Sequence, residues 1–265
     1  MEMLEFGCAV SKGIRDTNDD RCLMLGRIFD EDSGCGSAEI PALAVVCDGC
    51  GGYAGGGIAA ATVLEVLNQS LPHSLAEPEA LASALASARD AVFARKELDP
   101  SLSRMCTTIA GCLFREDGIL IFHAGDSRVY RCDGYGLTRM TLDHSVVQEM
   151  VTLGRLTEED ARTNSRRNVI TRCIGVDCLS PDIYVSRAPI APGEVYLLCS
   201  DGLWEYVQEE QMLPVLATAA ENPELAARTL VDLALAQGSN DNITVCLCVC
   251  PGSLSLPEST PFILD

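Results

Sequence analysis

Positive charge is scarce in this chain. Its 265 residues carry 19 lysines and arginines against 38 aspartates and glutamates, a formal net charge of −19. So acidic a chain has no basic face to offer nucleic acid or an anionic membrane, and both are excluded as partners. Any run of about 20 apolar residues is also missing, which excludes a transmembrane helix. The first residues, MEMLEFGCAVSKG, lack a basic segment leading into an apolar core, so no secretory signal is predicted. No Pro-, Gly- and Ser-rich stretch divides the sequence, and no repeat or low-complexity tract appears. The glycine-rich DGCGGYAGGG has no lysine behind it, which removes a P-loop.

Cysteine, by contrast, is plentiful at 14 residues. Without a secretory signal, so many thiols point to a reducing compartment, and a cytoplasmic location is expected. Cys246, Cys248 and Cys250 alternate along a predicted strand and are expected to pack as small hydrophobes on one face. Cys47 and Cys50 form the only C-x-x-C, and one such pair does not suffice for a structural zinc site. Cys47 is expected in a strand and Cys50 in a loop.

The apolar fraction, 48%, fills a sizeable core. Residues 55–71 and 78–98 have Ala-rich helical texture. TTIAGCLF, GILIFHAG and SRVYRCDGYGLTRM follow as strands, joined by turns at REDG and at Asp133-Gly134, the latter expected as a type I′ hairpin turn. Residues 145–170 read as short helices and polar loop. Strands are predicted near 182–187, 194–199 and 243–250, and helices near 208–218 and 222–237. Hairpin runs of strands with helices segregated from them imply an α+β protein with antiparallel sheets.

Four aspartates stand at the ends of the apolar runs. Asp48 follows PALAVVC, Asp126 follows LIFHAG, Asp201 follows VYLLCS, and Asp241 precedes NITVCLCV. If the strands converge, four carboxylates meet at one sheet edge and repel unless a cation neutralises them. Such oxygen-rich clusters suit hard divalent ions such as Mg2+ or Mn2+. The glycines after Asp48 let backbone approach a ligand closely, and the Gly49 carbonyl offers another oxygen. Upstream, SKGIRDTNDDR gathers an arginine with several acids. Arg15 has the fork geometry for a phosphate, and Asp19 and Asp20 suit metal-bound waters.

In order along the chain, GIRDTNDD, AVVCDGCGG, MCTT, GDSRVYR, MTLDHSVVQEMVTLGRLT, RRNVITRCIG, LLCSDGLWE and SNDNITV resemble the metal-dependent Ser/Thr protein phosphatases of the PPM class, the type 2C family, in its bacterial form. The resemblance runs from about residue 6 to residue 250. It implies a β-sandwich of two antiparallel sheets flanked by helices, a four-layer αββα arrangement. It implies one catalytic domain over 1–250, with a substrate-contacting flap at about 145–170 and a tail at 251–265. Asp48 would bridge two Mn2+ or Mg2+ ions, with the Gly49 carbonyl on the second, and Asp201 and Asp241 completing the first. Asp126, with Asp201, would supply a third, weaker site. Asp20 and Asp19 would act through bound waters, and Arg15 would bind the substrate phosphate. The implied reaction is attack on phosphorus by a metal-bridging water, without a phosphoenzyme, on phosphoserine or phosphothreonine of proteins modified by a Ser/Thr kinase.

The chain departs from the bacterial pattern DGMGGHxxGE. Cys50 replaces Met, Tyr53 replaces His, and Gly57 replaces Glu; Cys106 replaces the Gly before the Thr pair. The histidine proposed as general acid in animal members aligns with Cys50. The leaving-group acid is therefore open between Tyr53, His144 and a metal-bound water. A cysteine-dependent phosphatase is excluded, because no Cys has an Arg six positions later. The alternative reading is a pseudophosphatase that binds phosphoprotein without turnover, against which the intact aspartate set argues.

Overall fold

The computed structural model describes residues 3–50, 55–70, 77–176 and 180–252. The chain opens with β1 (Met3–Ser11), β2 (Arg21–Met24), β3 (Arg27–Phe29), β4 (Ser33–Glu39) and β5 (Ala42–Cys47). Two helices follow, α1 (Gly56–Ser70) and α2 (Pro78–Leu98), then the hairpin run β6 (Ile109–Arg115), β7 (Gly118–Ala124), β8 (Arg128–Asp133) and β9 (Gly136–Arg139). Short helices α3 (Val146–Thr152) and α4 (Glu158–Thr163) precede β10 (Asp182–Ser186) and β11 (Val195–Cys199). The last elements are α5 (Asp201–Trp204), α6 (Glu209–Ala217), α7 (Pro223–Ala236) and β12 (Ile243–Val249).

The strands form two six-stranded antiparallel sheets, ordered β4-β1-β12-β11-β8-β9 and β10-β7-β6-β5-β2-β3. Strand β12 shows why they stack. All seven of its residues are buried, so it cannot face water on either side. Cys246 and Cys248 point into the core between the sheets with Phe6, Cys8, Cys22 and Phe114, whereas Val245, Leu247 and Val249 point outward beneath α7. The alternating cysteines therefore pack as small hydrophobes, as their spacing suggested. Phe114 sits edge-to-face with both Phe6 and Tyr196, at centroid distances of 6.3 and 5.4 Å.

Helices cover both outer faces. Val63, Leu64 and Leu67 of α1 and Leu81, Leu85 and Val92 of α2 seal the sheet that holds β5, β6 and β7. Leu216 of α6 and Leu230, Val231 and Ala234 of α7 seal the other. Local signals set the helix starts: α7 begins at Pro223 behind Asn222, whose side chain accepts from Leu225 N. The capping box of Thr157 and Asp160 does the same for α4. The layers are thus helix, sheet, sheet, helix, the predicted αββα arrangement. Among the described residues no helix is long and apolar enough to cross a membrane.

Two details differ from expectation. At Asp133-Gly134 the chain does turn back as a hairpin, with Asp133 opposite Gly136, but neither Gly134 nor Tyr135 has the positive φ of a type I′ turn. The Asp133 carboxylate accepts from Tyr135 N and holds the turn instead. The pair with positive φ at both central positions is Leu25 and Gly26, at 53° and 73°, between β2 and β3. Strands β1 to β4 were not singled out from the sequence. Tyr53 and most of the tail at 251–265 lie outside the described residues.

Candidate metal centre

The strand-end aspartates converge as their positions suggested. Asp48 leaves β5, Asp126 lies between β7 and β8, Asp201 opens α5 directly after β11, and Asp241 precedes β12. With Arg15, Asp19 and Gly49 they line one cavity of about 710 Å³. Two glycines make the convergence possible. A Cβ on Gly49 would stand 2.3 Å from the carbonyl carbon of Gly56, and one on Gly202 would stand 2.0 Å from the Asn242 carbonyl oxygen. Any side chain at either position would force Asp48 away from α1, or Asp201 away from Asp241.

Hydroxyls and one amide hold the carboxylates. The Asp48 amide donates to Thr108 Oγ1 at 3.0 Å, and the Asp48 carbonyl accepts from Thr108 N at 2.8 Å and from Thr107 Oγ1 at 2.9 Å. Thr108 Oγ1 in turn lies 2.7 Å from Ser127 Oγ, beside Asp126. Asp20 is 1% exposed, and its Oδ2 accepts from Ser200 Oγ at 2.7 Å and Thr244 Oγ1 at 2.8 Å. Asp19 Oδ1 accepts from Gly57 N at 2.9 Å. Asn242 ties the N-terminal loop to β12: its Oδ1 accepts from Asp19 N, while its Nδ2 donates to the carbonyls of Lys12 and Thr17.

The electrostatics express crowding. Burial first, then the charges of Asp20, Asp201, Asp126 and Asp241, push the Asp48 carboxyl far above its usual range. Asp201 is raised in the same way, by burial and then by Asp126 and Asp241. Burial, with Asp143 next, lifts Asp126 to about 7, and burial lifts Asp20 to about 6 against the pull of its hydroxyl donors. A group of oxygen donors that resists ionising together is a group that lacks positive charge. Arg15 reaches it directly: its Nη2 donates to Asp241 Oδ2 at 2.8 Å and its Nε donates to the Asn240 carbonyl at 2.8 Å. A donor set of several carboxylates, a backbone carbonyl and room for water fits hard divalent cations.

Other expected participants fall in different places. His144 does not line the cavity. Its Nδ1 accepts from Gly125 N at 3.3 Å, so its Nε2 carries the proton and donates to Asp182 Oδ2 at 3.1 Å. Burial, and then the His123 ring stacked 4.5 Å away, hold its pKa below the usual value. Both nitrogens are engaged away from the cavity, which argues against His144 as leaving-group acid. Residues 145–170 form an excursion closed at its base, where Ser145 bridges Ile170 and Val146 N donates to the Val169 carbonyl at 2.9 Å. Asn168, Val169 and Ile170, at its returning end, line the cavity.

Sequence reasoning missed Thr108, Ser200, Thr244 and Asn242 as supports, although each lies in one of the eight ordered motifs. It also missed Arg128, which pairs with Asp143 through Nη2–Oδ2 at 2.6 Å and Nε–Oδ1 at 3.0 Å and lies 3.5 Å from the centroid of the Trp204 ring. Trp204 Nε1 donates to the Asp126 carbonyl at 2.9 Å, so this stack ends at the carboxylate group.

The profile of a known family, protein phosphatase 2C, matches residues 11–243. The chain belongs to that family. It is 36% identical over 228 residues to serine/threonine protein phosphatase PstP of Mycobacterium tuberculosis, a match that covers 83% of this chain and 42% of the relative. This chain therefore spans less than half the length of that relative. Serine/threonine phosphatase stp of Listeria monocytogenes is 29% identical over 212 residues, covering 77% of this chain and 83% of the relative. Among solved structures, M. tuberculosis PstP/Ppp superposes with a TM-score of 0.79 at 29% identity, over 94% of this chain and 99% of that one. The PstP catalytic domain in complex with two manganese ions gives 0.76 at 29% identity, with the same coverage.

Proposed function

We propose that the protein is a metal-dependent phosphatase of phosphoserine and phosphothreonine in proteins, acting on substrates of a Ser/Thr kinase. The observation that carries this reading is the convergence of Asp48, Asp126, Asp201 and Asp241 on one cavity, with the carboxyls of Asp48 and Asp201 forced far upward by burial and by one another. The manganese in the PstP catalytic domain and the phosphatase names of the relatives support it.

Asp48, the Gly49 carbonyl, Asp201 and Asp241 are the residues that would hold two Mn2+ or Mg2+ ions, with Asp126 and Asp201 for a third. Such ions, when bound, lower the pKa of the attacking water and neutralise the phosphoryl oxygens. Asp19 and Asp20 would act through water. The Asp20 Oδ2 is held by Ser200 and Thr244, which fixes the carboxylate for that role. Arg15 orients the phosphate by bidentate donation once it leaves Asp241. The segment 145–170 would serve as the flap, a role supported by Val169 and Ile170, at its returning end, lining the cavity. Residues 1–250 act as one catalytic domain.

The test is hydrolysis of a phosphothreonine peptide under chelator, Mg2+ or Mn2+, with wild type and Asp201→Asn side by side. Turnover that requires metal and drops at least about 100-fold in the variant, equivalent to about 2.7 kcal/mol, is the expected result. Folded wild type without metal-dependent turnover would overturn the enzyme in favour of a phosphoprotein-binding pseudophosphatase.

A further inference from the structure

One wall of the carboxylate cavity is made of sulfur. Cys50, Cys106 and Cys173 all line it, and their Sγ atoms lie within 4.8 Å of one another. Three chain segments are laid side by side to bring them there. Gly49 bridges Thr107 and Thr107 bridges Ile174, both antiparallel. Cys50 N donates to the Cys106 carbonyl at 2.9 Å, while Thr107 and Ile174 exchange backbone hydrogen bonds of 2.9 and 2.8 Å. The three cysteines are therefore fixed by backbone pairing rather than by free rotation of a loop.

This placement differs from that of the thiols in the sandwich. Cys8, Cys22, Cys246 and Cys248 are sealed in the apolar core between the sheets. Cys50 is half-exposed, and Cys106 and Cys173 are each 8% exposed at a polar cavity wall. Packing alone explains the first group and gives no reason for three thiols to share the rim of a cavity.

We propose that Cys50, Cys106 and Cys173 form a binding site for one thiophilic cation of the zinc class, separate from the carboxylate centre and adjoining it. A tetrahedral zinc with bonds of about 2.3 Å needs sulfurs about 3.8 Å apart, so closing the trio requires side-chain adjustment of about 1 Å. The fourth position faces the cavity and takes water or another ligand. Three thiolates around a dication leave one negative charge, and Lys96 and Arg104 act favourably on Cys106 from the same side. Lys96 also donates to the Gly175 carbonyl, two residues from Cys173. Softness separates the two sites: thiolates select zinc, cadmium or cuprous ions, whereas the carboxylates select Mn2+ or Mg2+. Occupation would pin Cys50, two residues from Asp48, to the strand ends that support Asp48.

The experiment is a titration of the full chain with Cd2+, after chelator stripping, with a phosphine reductant and excess Mn2+ present. Cadmium bound to thiolate gives an ultraviolet charge-transfer band that carboxylate-bound cadmium does not. The expected result is a band that saturates at one Cd2+ per chain, persists in Cys35→Ser, whose thiol is exposed on β4, and is lost in Cys50→Ser and in Cys106→Ser/Cys173→Ser. Cys50→Ser is the decisive variant because its site is half-exposed, and thermal melting verifies that it folds. A wild type without the band, or a band that survives in both variants, overturns the site; survival would trace the band to thiols elsewhere. Neither readout depends on phosphatase turnover.

Discussion

One hydroxyl ties Asp48 to Asp126. Thr108 Oγ1 accepts from the Asp48 amide and meets Ser127, which adjoins Asp126, so it links two carboxylates of the group. Thr108→Val keeps the shape and leaves the half-buried Asp48 N–H without that acceptor. The expected cost is about 1–3 kcal/mol of stability, with a fall in kcat, read from thermal melts and peptide hydrolysis. Wild-type kcat in that variant would mean that Asp48 is positioned by other contacts. Arg15 has a different signature. With the phosphate-binding role proposed for it, Arg15→Ala is expected to raise KM about tenfold or more while leaving metal affinity intact or strengthened, since its ion pair with Asp241 competes for the same oxygen. Loss of metal binding in Arg15→Ala would contradict that role. The carboxylates were legible in the sequence because an Asp at either end of an apolar run is conspicuous, the more so where Gly follows it, as at Asp48 and Asp201. The hydroxyls beneath them were not, because a Thr in TTIAGCLF or NITVCLCV reads as an ordinary strand former.

At the level of elements, one buried ion pair fastens the base of the 145–170 excursion to the sandwich. Arg128, on β8, grips Asp143, which lies three residues before α3, and both side chains are at most 10% exposed. Tyr130 accepts from Arg128 Nη1 at 2.9 Å, and Trp204 stacks on the guanidinium. Removing Arg128 leaves the buried Asp143 with only Arg139 Nη1, 3.8 Å away, so Arg128→Met is expected to cost up to about 3–5 kcal/mol. The double variant Arg128→Met/Asp143→Leu is expected to recover most of that stability, because two well-packed apolar chains replace a pair whose desolvation was costly. It should not recover activity, since the link through Trp204 to the Asp126 carbonyl is gone. Denaturant melts of the two variants and wild type decide this, and a double variant no more stable than the single one would show that the pair does not carry the cost. Helices 78–98, 209–217 and 223–236 stood close to where their caps and Ala-rich faces put them. Strand β4, SGCGSAE, gave no such signal. It is an edge strand, mostly exposed and held to β1 by backbone pairing, and that pairing leaves no alternation of apolar residues to read.

For the whole molecule, the carboxylate group makes stability depend on protons and metal together. Asp126 is raised to about 7 and Asp20 to about 6, both first by burial, and Asp48 and Asp201 are raised further. A carboxyl whose folded pKa lies above its unfolded value keeps its proton in the folded chain over a window where the unfolded chain has lost it. Its contribution to stability is fully present below the unfolded value and is lost as pH rises through the folded value. In chelator, therefore, the melting temperature is expected to fall between about pH 5 and about pH 8. Every tenfold difference in proton affinity between the folded and the unfolded carboxyl is worth about 1.4 kcal/mol. Divalent cations replace those protons. At a concentration about 100 times the dissociation constant, Mn2+ adds about 2.7 kcal/mol, and the gain grows with pH because protons no longer compete for the same oxygens. The check is a set of melting curves across that range with chelator and with Mn2+. Convergence of the two curves toward acid and divergence toward alkali is the expected pattern. Parallel curves would mean that cations bind elsewhere and that the crowded aspartates are neutralised by some other route. The net charge of −19 does not produce the same pattern, because charge spread over the surface is screened by salt, whereas the buried group is screened much less. Repeating the curves at high ionic strength therefore separates the two contributions: surface repulsion fades, and the metal-dependent divergence remains.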